Sequence, residues 1–357
     1  MLSENIKKSM EKQQYGLVGN HSAVKICGWT KNYITNKGGC YKFKFYGIAS
    51  HKCLQMTTSL MCANRCIYCW RDYKAPVSKK WLGNIDDPDE IIDNSLKAQK
   101  KLLSGFGGNE KAIKKRFEET NHVAHVALSL TGESITYPKI NEIINKFHER
   151  KISSFLVTNA QYPDKIKNLD IVTQLYISLD APNEELSKEI GKPLFPDSWE
   201  RLIQSLDEMK KKNFRTTIRM TMLKNMNMDK KYMNQFKDLI LRADPDFIEV
   251  KGYMFVGSSR QRLSIENMPY HKEIKEYCNE FIKLLNGYEI LDEQIPSRVV
   301  LIGKKKFKNK TWIDFDKFFK LIENIKSNEE YNLINAEDYS TETKKIFESD
   351  IDEIDLQ

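Results

Sequence analysis

Three closely spaced cysteines constrain this sequence more than any other feature. Cys62, Cys66 and Cys69 have the spacing C-x3-C-x2-C in the run MCANRCIYCW. Three thiolates this close can bind three irons of a [4Fe–4S] cube, because such clusters are held by cysteine sulfur. No fourth cysteine lies nearby, so one iron would stay open for a small molecule. A zinc knuckle is the alternative, but structural zinc takes four ligands, usually from two C-x2-4-C pairs.

An open iron beside a three-cysteine loop is the chemistry of the radical S-adenosylmethionine (SAM) enzymes, which this loop resembles. The resemblance implies that SAM chelates the open iron through its amine and carboxylate. One electron from the cluster would then cleave SAM to methionine and a 5′-deoxyadenosyl radical. The aromatic Tyr68 directly before Cys69 also favours the cluster over zinc.

Three further cysteines lie upstream with the even spacing C-x12-C-x12-C, namely Cys27, Cys40 and Cys53. Their thiols can meet only if successive segments fold back beside each other. Three unrelated buried thiols would be the simpler interpretation, since free cysteine often packs as a small core residue. Next to a radical SAM loop, a second three-cysteine cluster with its own open iron is the better hypothesis.

The two cysteine arrays narrow the resemblance to one family. Together with the run YCWR at 68–71, they resemble the 4-demethylwyosine synthases, radical SAM enzymes that build the tricyclic wye base on tRNA-Phe. The resemblance extends from about Cys27 to the run SRVVL at 297–301. It implies that N1-methylguanosine at position 37 of tRNA-Phe is condensed with pyruvate. We expect the shorter, archaeal form, because the 26 residues before Cys27 are too few for the flavodoxin-like domain of eukaryotic members.

The same resemblance assigns side chains to SAM. Thr131-Gly132-Glu133 is similar to the Gly-Gly-Glu-type motif that binds the SAM amine, with threonine replacing the first glycine. Polar residues after later strands are implied to reach the SAM carboxylate and ribose, although residues of these types also commonly cap helices. The expected cofactor-binding residues are Tyr68, Thr131, Gly132, Glu133, Thr158, Asn159, Ser178 and Asp180.

Lys42, two residues after Cys40, is the expected catalytic residue. In the family, a lysine at this place has been proposed to form a Schiff base with pyruvate. Burial or a neighbouring positive charge lowers the pKa of a lysine and makes it a nucleophile toward a carbonyl. Alternatively, pyruvate chelates the open iron of the second cluster and the lysine pairs with its carboxylate. Lys44 is a second candidate, because an extended strand would place it on the same side.

Short β-rich runs alternate with amphipathic helical patterns such as 140–148 and 198–211. Six such units predict right-handed crossovers and a parallel sheet. The family implies an α/β fold, a partial (β/α)6 TIM-like barrel whose active site lies at the carboxyl ends of its strands. The predicted strands are 52–58, 123–130, 153–157, 174–179, 216–222 and 247–252. The predicted parts are a cysteine-bearing N-terminal extension (1–51), the barrel (52–310) and a C-terminal helical segment with an acidic tail (311–357).

Charged residues interrupt two of the predicted strands, Arg219 on the fifth and Glu249 and Lys251 on the sixth. A charged side chain in an apolar strand rarely faces a core unpaired. We therefore expect these three side chains to face the interior of the barrel.

Charge is unevenly distributed along the chain. Residues 337–357 hold eight acidic and two basic side chains, which leaves 55 basic against 41 acidic side chains, or +14, for the rest. Such a surplus favours a polyanion such as tRNA, although one basic patch alone is more often a solvated face. The basic patches are Lys79 with Lys80, 97–116, 210–212 with Arg215, Arg260 with Arg262, and 304–310.

No apolar run is long enough to span a membrane, and the N-terminus lacks a signal-peptide core. Six of the seven cysteines form two odd-numbered groups, which suits ligation in a reducing cytosol better than disulfides; Cys278 is expected to serve packing.

We expect a monomeric cytoplasmic enzyme with an external electron donor of the flavodoxin or ferredoxin type. The alternatives are another two-cluster radical SAM enzyme, such as a maturase or activase acting on a protein, and a non-catalytic iron–sulfur or zinc RNA-binding protein.

Overall fold

The computed structural model describes residues 4–71, 76–325 and 333–344. Within these ranges ten strands form one sheet and two more form a small two-stranded antiparallel sheet. The strands are β1 (Gly16–Val18), β2 (Ser22–Val24), β3 (Cys53–Thr57), β4 (His125–Leu128), β5 (Ser153–Thr158), β6 (Gln174–Ser178), β7 (Thr216–Met222), β8 (Phe247–Gly252), β9 (Tyr288–Gln294), β10 (Val299–Lys304), β11 (Trp312–Ile313) and β12 (Ser340–Thr341).

The six predicted strands are confirmed as β3 to β8, which lie side by side in chain order and pair in parallel. Their observed ends differ from the predicted ones by no more than two residues. Successive side chains of a strand point to opposite faces. In β8, Ile248 and Val250 join the apolar core, whereas Glu249 accepts hydrogen bonds from tyrosines of the N-terminal region. The inner face of the sheet is therefore polar, as the charged strand residues indicated.

Helices fill the crossovers between these strands, and their apolar faces recur at helical spacing. In α6, Ile140, Ile143, Ile144 and Phe147 are buried against the sheet. The described α-helices are α1 (Glu4–Lys12), α2 (Gly28–Ile34), α3 (Tyr41–Tyr46), α4 (Pro88–Leu103), α5 (Lys114–Glu119), α6 (Ile140–Glu149), α7 (Pro163–Lys167), α8 (Glu184–Gly191), α9 (Ser198–Lys210), α10 (Met233–Ala243), α11 (His271–Phe281) and α12 (Phe315–Glu323). No helix in the described part of the chain is long and apolar enough to cross a membrane.

The sheet is wider than the sequence indicated. Strands β1 and β2 continue it beyond β3, and β10 and β9 continue it beyond β8, all with antiparallel pairing. The predicted N-terminal extension therefore shares a sheet with the barrel. At the other end of the chain, β11 pairs with β12. Of the predicted acidic tail, residues 345–357 lie outside the described residues.

The predicted extended strand around Lys42 and Lys44 is wrong, because this segment is helix α3. The alternating run YKFKFY resembles a strand, but Cys40 occupies the N-cap and Gly47 ends the helix with φ +77°. Two residues along a helix are separated by about 200° around its axis. Lys42 and Lys44 therefore point to opposite sides.

Arg215 does not belong to a basic surface patch, as its sequence neighbours suggested. Its side chain is fully buried and donates to Gln174 Oε1 at 3.2 Å, to Thr311 O at 2.7 Å and to the hydroxyl of Ser340. The guanidinium also lies 4.6 Å from the centre of the Phe247 ring. These contacts connect the β11–β12 sheet to β6.

We expect Arg215→Met to lower the free energy of unfolding by about 3 kcal/mol, because several buried acceptors would lose a charged donor together. Urea unfolding measured by circular dichroism checks this expectation. Lys210→Met, at an exposed position on α9, is the control and should change the free energy by less than about 0.5 kcal/mol. Equal stability of the two variants would contradict the structural role of Arg215.

Candidate active site

The loop carrying Cys62, Cys66 and Cys69 follows β3 and lies over the carboxyl ends of the parallel strands. Backbone hydrogen bonds hold it, including Ile67 N to Ile190 O at 2.9 Å. Arg262 fixes the same loop by donating to the carbonyl oxygens of Ile67, at 3.0 Å, and of Cys69. Arg262 was expected in a basic surface patch, so its role in shaping the loop is a correction. Charge counts along the sequence give no sign of it.

A cavity of about 190 Å³ lies between this loop and the strand ends. It is lined by all three cysteines of the loop and by seven of the eight predicted SAM residues: Tyr68, Thr131, Gly132, Glu133, Thr158, Asn159 and Ser178. The eighth, Asp180, accepts a hydrogen bond from the Tyr68 hydroxyl at 2.5 Å and from Thr221 N at 2.7 Å. The structure therefore brings the predicted cofactor-binding residues together in one place.

The Thr131-Gly132-Glu133 turn presents acceptors that have no partner. Glu133 Oε2 accepts from Asn159 N at 2.9 Å, whereas Glu133 Oε1 and Thr131 Oγ1 are buried without a hydrogen bond in the described part of the chain. Burial raises the pKa of Glu133 to about 7, although the hydrogen bond from Asn159 N lowers it in part. Buried polar atoms are normally satisfied, so these oxygens fit a ligand that brings donors, such as an ammonium group.

Gly132 allows this turn to approach the chain that leads into the cysteine loop. Its φ is +68°, and a Cβ at this position would overlap the carbonyl oxygen of Ser59. Only glycine adopts this conformation at this separation without strain. The glycine is therefore needed to place Glu133 beside the loop.

Helix capping was the alternative for the polar residues at the strand ends. Among the described helices, the two that follow begin instead after Tyr162 and Asn183, which occupy their N-caps. Asn159 Nδ2 lies 3.5 Å from the Cys62 sulfur, and Asn64 N lies 3.4 Å from it. Both are donors suited to a thiolate.

Cys27, Cys40 and Cys53 also come together, although no single loop carries them. Cys27 and Cys40 occupy the N-caps of α2 and α3, and Cys53 is the first residue of β3. Burial raises the pKa of Cys40 and of Cys53 to about 12, and the charge of a neighbouring cysteine adds to each shift. The positive charge of Lys42 acts against both shifts.

Neither trio is arranged as a zinc knuckle. In residues 4–71, 76–325 and 333–344, no three His, Cys, Asp or Glu side chains are placed to hold one metal ion. A [4Fe–4S] cube instead takes each cysteine on a different iron, so its ligands do not converge on one point. Three thiols without a fourth protein ligand are compatible with a [4Fe–4S] cluster that has one open iron.

The Lys42 amine lies over the rings of Tyr176, at 4.3 Å, and Phe155, at 5.4 Å. It forms no hydrogen bond or ion pair with the described residues. Burial lowers its pKa, and the charge of Glu249 opposes this effect. Lys44, on the other side of α3, donates to Glu293 O at 2.7 Å and pairs with Asp292 at 3.2 Å. Of the two lysines, Lys42 alone has an amine that is available to a ligand inside the barrel.

Polar residues of the barrel interior complete the site. Glu249 accepts from the hydroxyls of Tyr41, at 3.0 Å, and Tyr46, at 2.9 Å. Lys251 donates to Ser297 O at 2.7 Å, and burial lowers its pKa to about 8. Arg219 lines the cavity beside the cysteine loop. Their interior position was predicted, but no role in binding was assigned to them.

Two family models match the chain. The one described as "Radical SAM superfamily" matches residues 56–234, and the one described as "Wyosine base formation" matches residues 242–304. Among curated proteins, the S-adenosyl-L-methionine-dependent tRNA 4-demethylwyosine synthase TYW1 of Xenopus laevis is 41% identical over 96% of this chain and 47% of its own length. The corresponding synthase of Arabidopsis thaliana is 42% identical over 90% of this chain and 50% of its own length. The chain thus spans about half the length of the curated relatives it matches.

Two solved structures are similar over nearly their whole length. One, described as TYW1 with a lysine-pyruvate adduct bound, has a TM-score of 0.78 at 35% identity, covering 86% of this chain and 97% of that one. The other, an archaeal TYW1 crystal structure, has a TM-score of 0.72 at 32% identity, covering 88% and 100% of the two chains.

Proposed function

Because this chain belongs to the radical SAM family of tRNA 4-demethylwyosine synthases, we propose that it catalyses the reaction for which those relatives are named. It would condense N1-methylguanosine at position 37 of tRNA-Phe with pyruvate to form the tricyclic 4-demethylwyosine. The observation that carries this proposal is the placement of Lys42. Its unengaged amine lies in a barrel interior that has one cysteine trio close to Lys42 and the other at the strand ends.

The residues of the cavity fit a cluster and SAM. Cys62, Cys66 and Cys69 would each hold one iron, and the open oxygens of Glu133 and Thr131 would accept from the SAM amine. When bound, these groups supply the 5′-deoxyadenosyl radical that takes a hydrogen atom from the substrate. The remaining predicted residues of the cavity are proposed to orient the SAM carboxylate and ribose.

Cys27, Cys40 and Cys53 are proposed to hold a second [4Fe–4S] cluster. Their half-buried side chains lie close together, and the positive charges of Lys42 and Lys251 favour the thiolate form of Cys40. Cluster ligands must be deprotonated, and nearby cations lower the cost of that charge. The chain supplies three thiols here, which would leave one iron open.

Lys42 is proposed to bind pyruvate. A lowered pKa increases the neutral fraction of its amine, which can attack the keto carbon of pyruvate and release water to form an imine. The similar structure with a lysine-pyruvate adduct supports this role over the alternative, in which pyruvate binds iron and Lys42 pairs with its carboxylate. The aromatic rings of Tyr176 and Phe155 keep the amine partly out of water.

We also propose tRNA-Phe as the macromolecular partner, docked over the carboxyl ends of the strands. The +14 charge outside the acidic tail supports a polyanion. Arg215 and Arg262 are engaged within the protein, so other basic residues must contact phosphates. Arg260, exposed on the segment after β8, is one candidate. We further propose that the enzyme is monomeric and cytoplasmic, and that an external donor of the flavodoxin or ferredoxin type reduces it.

The test is anaerobic incubation of the reconstituted, dithionite-reduced protein with SAM, pyruvate and methylated tRNA-Phe, followed by nucleoside mass analysis. We expect 4-demethylwyosine, and none from tRNA that lacks the N1-methyl group or without pyruvate. SAM cleavage without the tricyclic product would favour a maturase or activase acting on a protein. Absence of SAM cleavage would favour a non-catalytic RNA-binding protein.

A further inference from the structure

Two aromatic rings connect the outside of the barrel to the loop that carries Cys69. Trp70 follows Cys69 and stacks on Tyr15, with ring planes 4° apart and centroids 6.0 Å apart. Trp70 lines the cavity beside the cysteine loop, whereas Tyr15 lines a separate groove of about 750 Å³. The stacked pair therefore spans the wall between the groove and the cavity.

The groove is basic. Lys25, Lys31 and Lys101 line it, with Glu11 as its acidic residue. None of the three lysines forms an ion pair with a residue that the structure describes. The Lys25 ammonium lies 4.6 Å from the centre of the Tyr15 ring and 5.3 Å from that of Trp70. Positive charge is thus concentrated where the aromatic pair meets the groove.

We propose that this groove docks an acidic one-electron donor protein and that the electron reaches the Cys69 end of the cluster loop through the Tyr15–Trp70 contact. This inference rests on the proposed function, which requires one electron for each SAM cleaved. The donor, a reduced flavin or iron–sulfur protein, loses one electron and the cluster gains it. No bond forms or breaks in the chain, and the packed rings serve as the medium between the two centres.

The groove favours a donor protein over tRNA. Tyr15 is only 6% exposed, so its ring face is not available to stack on a nucleotide base. Three lysines are also few for a run of phosphates, but they suit the small, weak interface of an electron-transfer encounter. A binding site for tRNA alone would not need to contact a ring adjacent to a cluster ligand.

Rapid-freeze EPR of cluster reduction by reduced flavodoxin tests the docking surface. Lys31→Glu combined with Lys101→Glu should slow this reduction about tenfold at low ionic strength, because steering by opposite charges is lost. Reduction by dithionite should stay unchanged. The charge-matched control, Lys167→Glu with Lys210→Glu on the outer helices, should be reduced by flavodoxin at the wild-type rate.

Substitutions of Tyr15 test the proposed electron path, with the rate of cluster reduction measured at saturating flavodoxin. Tyr15→Leu should slow the reduction severalfold, whereas Tyr15→Phe, which keeps the ring, should not. A wild-type rate for Tyr15→Leu would overturn the path. If the double lysine variant is reduced normally but binds tRNA more weakly, the groove is an RNA site and the proposal is wrong. Failure of the dithionite-reduced wild type to make 4-demethylwyosine would overturn the proposed function instead.

Discussion

Replacing Lys42 with arginine should abolish formation of the tricyclic base while SAM cleavage continues. Arginine keeps the positive charge, but its guanidinium stays protonated and does not form an imine with pyruvate. The Lys42 amine lies over Tyr176 and Phe155 and forms no hydrogen bond with the described residues. Its replacement therefore removes a reactive group without breaking a polar network. Nucleoside mass analysis and 5′-deoxyadenosine release, measured on the same sample, separate the two activities.

Lys44→Arg is the matched control, because Lys44 belongs to the same short helix but pairs with Asp292 on its other side. This variant should retain both the product and SAM cleavage. Lys251→Arg tests the other interior lysine with a lowered pKa, and its amine is already bound to Ser297 O. Full product formation by Lys42→Arg would refute the imine and favour pyruvate bound to iron.

The pH dependence of product formation has a definite sign. Burial lowers the pKa of Lys42, so the neutral amine is present above that pKa and is lost as the pH falls through it. When pyruvate is limiting, the rate of product formation should therefore decrease as the pH falls through the pKa of Lys42. Lys42→Arg should make no product at any pH at which the wild type does.

The first cysteine trio could be recognised from the sequence because Cys62, Cys66 and Cys69 are close together in the sequence and lie on one loop. The central strands could also be predicted from the sequence, since buried parallel strands carry short apolar runs between helical patterns. Three of the four outer, antiparallel strands were missed for a physical reason. Strands β1 and β2 have three residues each, and β9 carries three acidic residues, which is atypical of buried strands.

The second trio depends on tertiary structure that spacing does not encode. Cys27 and Cys40 meet because each begins a short helix, and the strand predicted after Cys40 is one of those helices. The arginines show the same limit. Arg215 and Arg262 count as surface charge in the sequence, yet one binds buried acceptors and the other holds the cysteine loop. Charge composition predicts the class of partner but not which cations remain free to contact it.

Removing the sulfurs of Cys62, Cys66 and Cys69 together, by alanine substitution, should abolish SAM cleavage and leave about four of about eight irons per chain. The reason is that the two trios lie on different segments, so one cluster does not borrow ligands from the other. The reciprocal variant at Cys27, Cys40 and Cys53 should also keep about four irons. It should still cleave SAM, yet it should make no tricyclic base. Iron analysis and 5′-deoxyadenosine release check both expectations.

Cys278→Ala is the control for the loss of a thiol without the loss of a ligand. Cys278 is fully buried in α11 within the apolar core, as the sequence indicated, and burial raises the pKa of its thiol. This variant should retain all irons and both activities. If instead the triple change at Cys62, Cys66 and Cys69 left the iron content unaltered, that loop would not hold a cluster. SAM cleavage would then have to depend on the other trio, although the position of that trio beside Lys42 suits the binding of pyruvate better than that of SAM.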